Sequence, residues 1–288
     1  MAAIDLLLER RRLRKELPRR VPPPQDPSGP RLRYWRALRT LVARVREATI
    51  EELEPALERL AEDQREDGVR TDESVFEALM AALDRLGARI IDIERDFQQA
   101  GAVEQTVDAI KSQSRRDIAR RIGINVGDVT TGPQVDAFLE QNRELIKSLA
   151  EEPARQVQAL VREGLGEGRR VERLRDEIME RFNVAESRAQ LIARTETAKL
   201  KAQIDAERVK RIGITHYIWR TVGDARVRDE HAAVDGKRFS YDSPPSSVGA
   251  HPGEEPNCRC WAEPDTSAIF AEGEAEQDVI EAGGAEAA

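Results

Sequence analysis

Thr215-His216-Tyr217-Ile218-Trp219-Arg220-Thr221 is rich in aromatic and β-branched residues, and it reads as a β-strand broken by Gly223. Asp224-Ala225-Arg226-Val227-Arg228-Asp229-Glu230-His231 follows, short and highly charged. Asp235-Gly236 is a turn signal ahead of a second strand at residues 237–241. The loop 243–256 is too rich in Pro, Ser and Gly for regular structure, and it delivers the chain to Asn257-Cys258-Arg259-Cys260-Trp261. All three His, both Cys, two of the three Trp and two of the three Tyr fall within residues 215–264. The long stretch before them is mostly Arg, Glu, Leu and Ala, so side chains able to do chemistry concentrate in this block.

Toward the N-terminus the pattern becomes helical. Residues 185–211 read as the longest helix, with Ala189, Ile192, Ala198, Ala202 and Val209 as its inner face. Val171, Leu174, Ile178 and Phe182 mark a shorter helix, which Asn183 is expected to interrupt. Gly164-Leu165-Gly166-Glu167-Gly168 has a glycine spacing that suggests a phosphate loop, but no strand precedes it. It reads instead as a helix C-cap and hinge. Pro153 is expected to start one helix, and Pro133 to sit in the first turn of another that Thr131 caps and whose apolar face runs from Val135 to Leu149. Val103, Val107, Ile110, Ile118 and Ile122 mark a helix between Gly101 and Gly123.

Phe76, Leu79, Leu83, Leu86, Ile90, Ile93 and Phe97 step alternately by three and four, a seven-residue repeat that keeps one seam on one side of a helix capped by Thr71. Such a seam packs against another helix of the same chain or against a second copy. Residues 32–65 also carry helical spacing (Leu38, Leu41, Val45), with Pro55 expected to divide them in two.

The ends differ from this body. Residues 4–17 form an amphipathic pattern crowded with Arg10, Arg11, Arg12, Arg14 and Lys15, either a basic arm for DNA phosphates or an acidic partner, or a solvated terminus. Pro18, Pro22, Pro23, Pro24, Pro27 and Pro30 make a stiff extended linker. The net charge of -8 belongs to the other end: eight acids and no Lys or Arg follow Arg259, so residues 1–259 balance. That end reads as a disordered acidic tail.

With 4 % aromatic and 35 % charged residues the chain suits helices with narrow apolar seams. The fold class expected is mainly α with a small α+β C-terminal unit, a helical body plus short antiparallel strands. The divisions expected are a basic arm and linker at 1–30, a helical body at 31–211, an α+β unit at 212–264 and the tail at 265–288. No apolar run is long enough to span a bilayer, and charges follow Leu6 to Leu8 too soon for a signal peptide, so a soluble protein is expected. Two Cys one residue apart do not easily bridge each other.

Three chemistries compete in the block. His231, His251, Cys258 and Cys260 are soft-metal ligands in number enough for a tetrahedral zinc site, although Cys-x-Cys is an uncommon spacing and the two thiols could simply be buried in a core. His231 beside Arg226, Arg228 and Asp224 could cleave or bind a phosphodiester, with the arginines stabilising the developing charge. The acid and the arginines could equally satisfy one another as a structural network. Arg194 and Glu196, about 200° apart around a helix, cannot pair and are expected to look toward Asp224 or toward Arg226 and Arg228.

Trp219, Asp224, Arg226, Arg228, His231, Asp235, Gly236, Asn257, Cys258, Arg259 and Cys260, with Arg194-Thr195-Glu196 upstream, form a pattern that resembles the head morphogenesis domain of the Mu F-like minor head proteins of tailed phages, over residues 100–264. The resemblance implies a structural, portal-associated minor capsid protein of the virion head interior, assembled in the host cytoplasm. It further implies the portal protein and the major capsid protein as partners, contact with genomic DNA during packaging, and no catalytic residues. On that reading Arg194, Glu196, Asp224, Arg226, Arg228, His231, Asn257 and Arg259 form a polar network that fixes the long loop. The alternative expectation is a nuclease or nucleotide-modifying effector centred on His231.

Overall fold

The structure is a computed structural model that describes residues 20–66, 72–123, 125–126 and 132–267. The basic arm (Arg10, Arg11, Arg12, Arg14, Lys15), the caps expected at Thr71 and Thr131 and nearly all of the acidic tail lie outside the described residues. Five long helices precede a small sheet: α1 Ser28–Glu66, α2 Glu73–Gln99, α3 Ala102–Ile122, α4 Gly132–Gly166 and α5 Val171–Arg211. Then come β1 His216–Arg220, a short α6 Asp229–Ala233, β2 Arg238–Ser240 and β3 Trp261–Pro264. The fold class is therefore as the sequence implies. No helix among the described residues is long and apolar enough to cross a membrane.

The chain gathers into two compact units that are not contiguous in sequence. Among the described residues, one comprises those within 29–106 and 137–194, and the other those within 20–28, 107–136 and 195–267. In the first, α2 buries its heptad seam: Leu79, Leu83 and Leu86 are wholly enclosed, and Ile90, Ile93 and Phe97 nearly so. Phe76 is the seam residue left exposed. A seam filled by its own chain is not available to a second copy. Arg44 with Asp96, and Arg85 and Arg89 with Glu52, tie α2 to α1 around it. Asp72 caps α2, its carboxylate accepting from the Ser74 amide at 2.7 Å.

Three breaks expected from the sequence do not occur. Helix α1 runs through Pro55, α4 through Pro153 and α5 through Asn183. Pro55 is exposed, so the Glu51 carbonyl that loses its partner can turn to water, while Leu53, Ala56, Leu57 and Leu60 are buried on either side of it. Pro153 sits between buried Ala150 and Ala154, with Val157 wholly enclosed one turn on. Asn183 carries only a weak helix penalty and faces solvent. In each case burial on both flanks outweighs a local preference.

The glycine-rich stretch does close a helix. The Arg169 amide donates to the Gly164 carbonyl at 2.7 Å and the Gly168 amide to the Leu165 carbonyl at 3.2 Å, a Schellman motif with Gly168 at φ 65°. Gly164 has a second reason to be glycine, since an added Cβ would lie 2.4 Å from Leu174 Cδ2.

The second unit is built around ion pairs as much as apolar contacts. Asp117 of α3 accepts from Lys201 Nζ of α5 at 2.8 Å, from Arg120 at 2.7 Å and from the Gln25 amide at 3.1 Å. Asp205 accepts from Lys201 and from the Ser114 hydroxyl, both at 2.5 Å, and Arg208 donates to Ser114 Oγ and to the Val126 carbonyl at 3.1 Å each. The proline stretch is thus docked rather than a free spacer. Arg121 holds the Pro22 carbonyl at 2.7 Å, Gln113 holds the Asp26 carbonyl at 3.0 Å, and Val21 packs with Ile118, Ile122, Val126, Val209 and Ile214.

The three strands form an antiparallel sheet ordered β2-β1-β3. Tyr217 and Trp219 alternate inward from β1, both wholly enclosed, and collect Phe239, Val234, Cys260, Tyr241 and Ala262 around them. The outward residues pair across strands: Arg220 with Glu263, and Arg238 with Asp265 at 2.6 Å.

Candidate functional site

The site lies under the sheet, where α6 and the loop 243–260 meet β1. Arg228 is extended ahead of α6, and its carbonyl accepts from the His231 and Ala232 amides, which starts a single turn of helix. That turn aims His231 inward, 2 % exposed, its ring 5.2 Å from Trp219 and edge-on to it. Gly236, at φ 76°, lets the chain reverse and bond back to the Trp219 carbonyl at 2.8 Å.

From the other side comes Asn257, with φ 59°. Asn is among the few non-glycine residues that tolerate this left-handed conformation. The bend turns Cys258 and Cys260 toward His231. Nδ1 of the ring lies 3.6 Å from Cys258 Sγ and 3.5 Å from Cys260 Sγ, and Nε2 lies 2.6 Å from Glu255 Oε2. Both cysteines are free thiols. The Cys260 side chain acting as donor, then the Gly253 amide at 3.4 Å, draw the Cys258 thiol down to about 6 against the opposing effect of burial. The same contact, with burial, pushes the Cys260 thiol up.

Two ion pairs flank the cluster. Arg228 donates to Glu255 Oε2 at 3.0 Å and to the Pro256 carbonyl at 2.7 Å. Arg259 grips both oxygens of Asp224 at 2.6 and 2.5 Å, and Asp224 also accepts from the Arg226 amide at 3.0 Å. The Arg259 bonds, then the Arg226 amide, hold the Asp224 carboxyl below the usual range.

Of the residues singled out in the sequence, Asp224 with Arg259 and Arg228 with His231 are brought together, the second pair through Glu255. The partners expected for Asp224 and Arg228 were Arg194 and Glu196; the geometry gives them Arg259, Glu255 and Pro256 instead. Glu196 is buried in α5, and Arg194 is exposed on the same helix. His231, Cys258 and Cys260 converge, whereas His251 does not join them. Its Nδ1 meets Tyr217 Oη at 3.1 Å, and burial lowers its basicity. Glu255 is the functional residue missing from the sequence reading, because an acid inside a breaker-rich loop carries no periodicity to mark it.

The family described as Phage Mu protein F like protein matches residues 155–263. Residues 155–263 are thus similar to the Mu F-like family. The match starts well after residue 100, so α3 and most of α4 stand outside it, while α5, nearly all of the sheet and the whole His-Cys cluster stand inside. An uncharacterized protein of Haemophilus influenzae (strain ATCC 51907 / DSM 11121 / KW20 / Rd) is 36 % identical over 127 residues, 44 % of this chain and 28 % of that protein. The chain thus spans little more than a quarter of that relative's length. No solved structure matches the chain.

Proposed function

We propose that the protein acts in head morphogenesis of a phage or phage-like particle, as a minor head protein that works by binding. The observation that carries this reading is the Mu F-like segment with its polar residues locked to one another. His231 is enclosed and engaged at both ring nitrogens, and the Asp224 and Arg228 charges are spent on Arg259, Glu255 and Pro256. A general base needs reach to a substrate proton, and this histidine has sulfur on one side and a carboxylate on the other. Such a knot serves to hold a loop in shape and present a surface.

The partners that fit are the portal protein and the major capsid protein, in the head interior after assembly in the host cytoplasm, with genomic DNA as a contact of the basic arm. Replacing His231 by Ala tests the reading against the nuclease or nucleotide-modifying alternative. The binding reading expects the yield of intact heads, counted by electron microscopy, to fall with no nucleic-acid turnover in either protein. Normal heads together with the loss of a measurable cleavage activity would overturn it.

A further inference from the structure

The structure assigns a transition-metal site to His231, Cys258 and Cys260, and we propose that its resident ion is zinc(II), held by these three side chains. The donor atoms lie within 4.8 Å of one another, and among the described residues this is the group that combines nitrogen and sulfur ligands. Zinc bound at about 2.3 Å to sulfur and about 2.0 Å to imidazole nitrogen, at a tetrahedral angle, separates N from S by about 3.5 Å. The observed separations are 3.6 and 3.5 Å.

A hydrogen bond from a thiol to the ring accounts for one of these contacts but not for both. Nδ1 of a neutral imidazole has a single lone pair, so it accepts one S–H and cannot engage both sulfurs at once. A cation at the centre of the three atoms satisfies all of them together.

Two further observations agree. The second ring nitrogen of His231 meets Glu255 at 2.6 Å, the carboxylate-to-histidine arrangement that fixes a ligating imidazole's tautomer and turns its other nitrogen to the metal. Arg228, on the same Glu255 oxygen, holds that carboxylate in place. The ion would also reinforce a region otherwise tied by the Arg228–Glu255 and Arg259–Asp224 pairs. The loop 243–256 has no regular structure and the sheet has three strands of three to five residues. An ion joining α6 to Cys258 and Cys260 would close that loop onto β1, with the folding free energy that structural metal supplies to small units. His251 is left out: it is bound to Tyr217 and belongs to the aromatic core.

The test is elemental analysis of the untagged full chain purified without chelator, together with the absorption spectrum after exchange with cobalt(II). The expectation is about one zinc per chain, and in the cobalt form a sulfur-to-metal charge-transfer band with the strong visible bands of tetrahedral coordination. Cys258→Ser and Cys260→Ser should each lose the metal or most of the charge-transfer intensity, whereas His251→Gln should keep both. Because the wild-type measurements need no variant to fold, they decide on their own. A wild-type chain without stoichiometric transition metal, and with no charge-transfer band after cobalt is supplied, overturns the site. So does unchanged cobalt binding in Cys258→Ser and Cys260→Ser.

Discussion

At the scale of single residues, the site rests on two unusual choices. Asn257 occupies a left-handed conformation that aims both cysteines at His231. Asn257→Gly should therefore change stability little, while Asn257→Val should cost roughly 1–3 kcal/mol in chemical denaturation. Asp117 is the second. Burial alone would raise its carboxyl, but the Lys201 charge and bonds from Lys201 and Arg120 bring it below the usual carboxylate range. A depressed folded value favours the charged form, so the stabilisation is fully present above about pH 4 and is lost as pH falls through the folded value. Asp117→Asn should lose about 3 kcal/mol near neutral pH, because it weakens a buried pair and leaves Lys201 half-satisfied. The Tm gap between the two proteins should then narrow in acid; a gap that stays constant with pH would show the charge to be irrelevant. Asn257 was legible as a motif residue but its conformation was not, and Asp117 was not legible at all. Asn257 reads as one letter of a motif until its φ is known, and Asp117 gives no hint of the lysine 84 positions away.

At the scale of elements, long periodic segments were legible and their interruptions were not. The seam of α2 was plain from its spacing, since a strict apolar period has one physical explanation. Leu86→Ala, at a wholly enclosed seam position, should cost about 2–5 kcal/mol in a single-chain unfolding transition that does not depend on concentration, while exposed Phe76→Ala should cost well under that. Concentration dependence would instead mean that the seam is shared between copies. Pro55, Pro153 and Asn183 misled because helix propensity is a local quantity of a few kcal/mol at most, whereas the flanking burial is a property of the whole unit. Pro55→Ala should raise stability by about 1 kcal/mol or more, the proline being a cost that the fold tolerates. The buried face of α5 was read only in part. Ala189, Ile192 and Val209 are buried as expected, but Lys201 and Arg208 share that face, and apolar spacing cannot reveal a stripe made of charges with buried partners.

At the scale of the molecule, the sequence separated the two kinds of region correctly in character: a helical majority, and a small mixed block that gathers the His, Cys and aromatic residues. Discontinuous packing was out of reach, because residues 20–28 join residues 107–136 and 195–267 through contacts such as Gln25 to Asp117 that no local pattern encodes. The basic arm makes its own prediction. Deleting residues 1–20 should weaken DNA binding and flatten the dependence of affinity on salt, in proportion to the phosphate contacts removed. An unchanged slope would exclude the arm from that role.

Everything turns on whether the Mu F-like segment serves particle assembly. Quantitative mass spectrometry of density-purified, nuclease-treated particles from a producing strain measures this directly. The account predicts this chain in the particles at a fixed low ratio to the major capsid protein, and its co-purification with the portal after mild disruption. Its absence from particles, with abundant soluble protein left in the lysate, would contradict it.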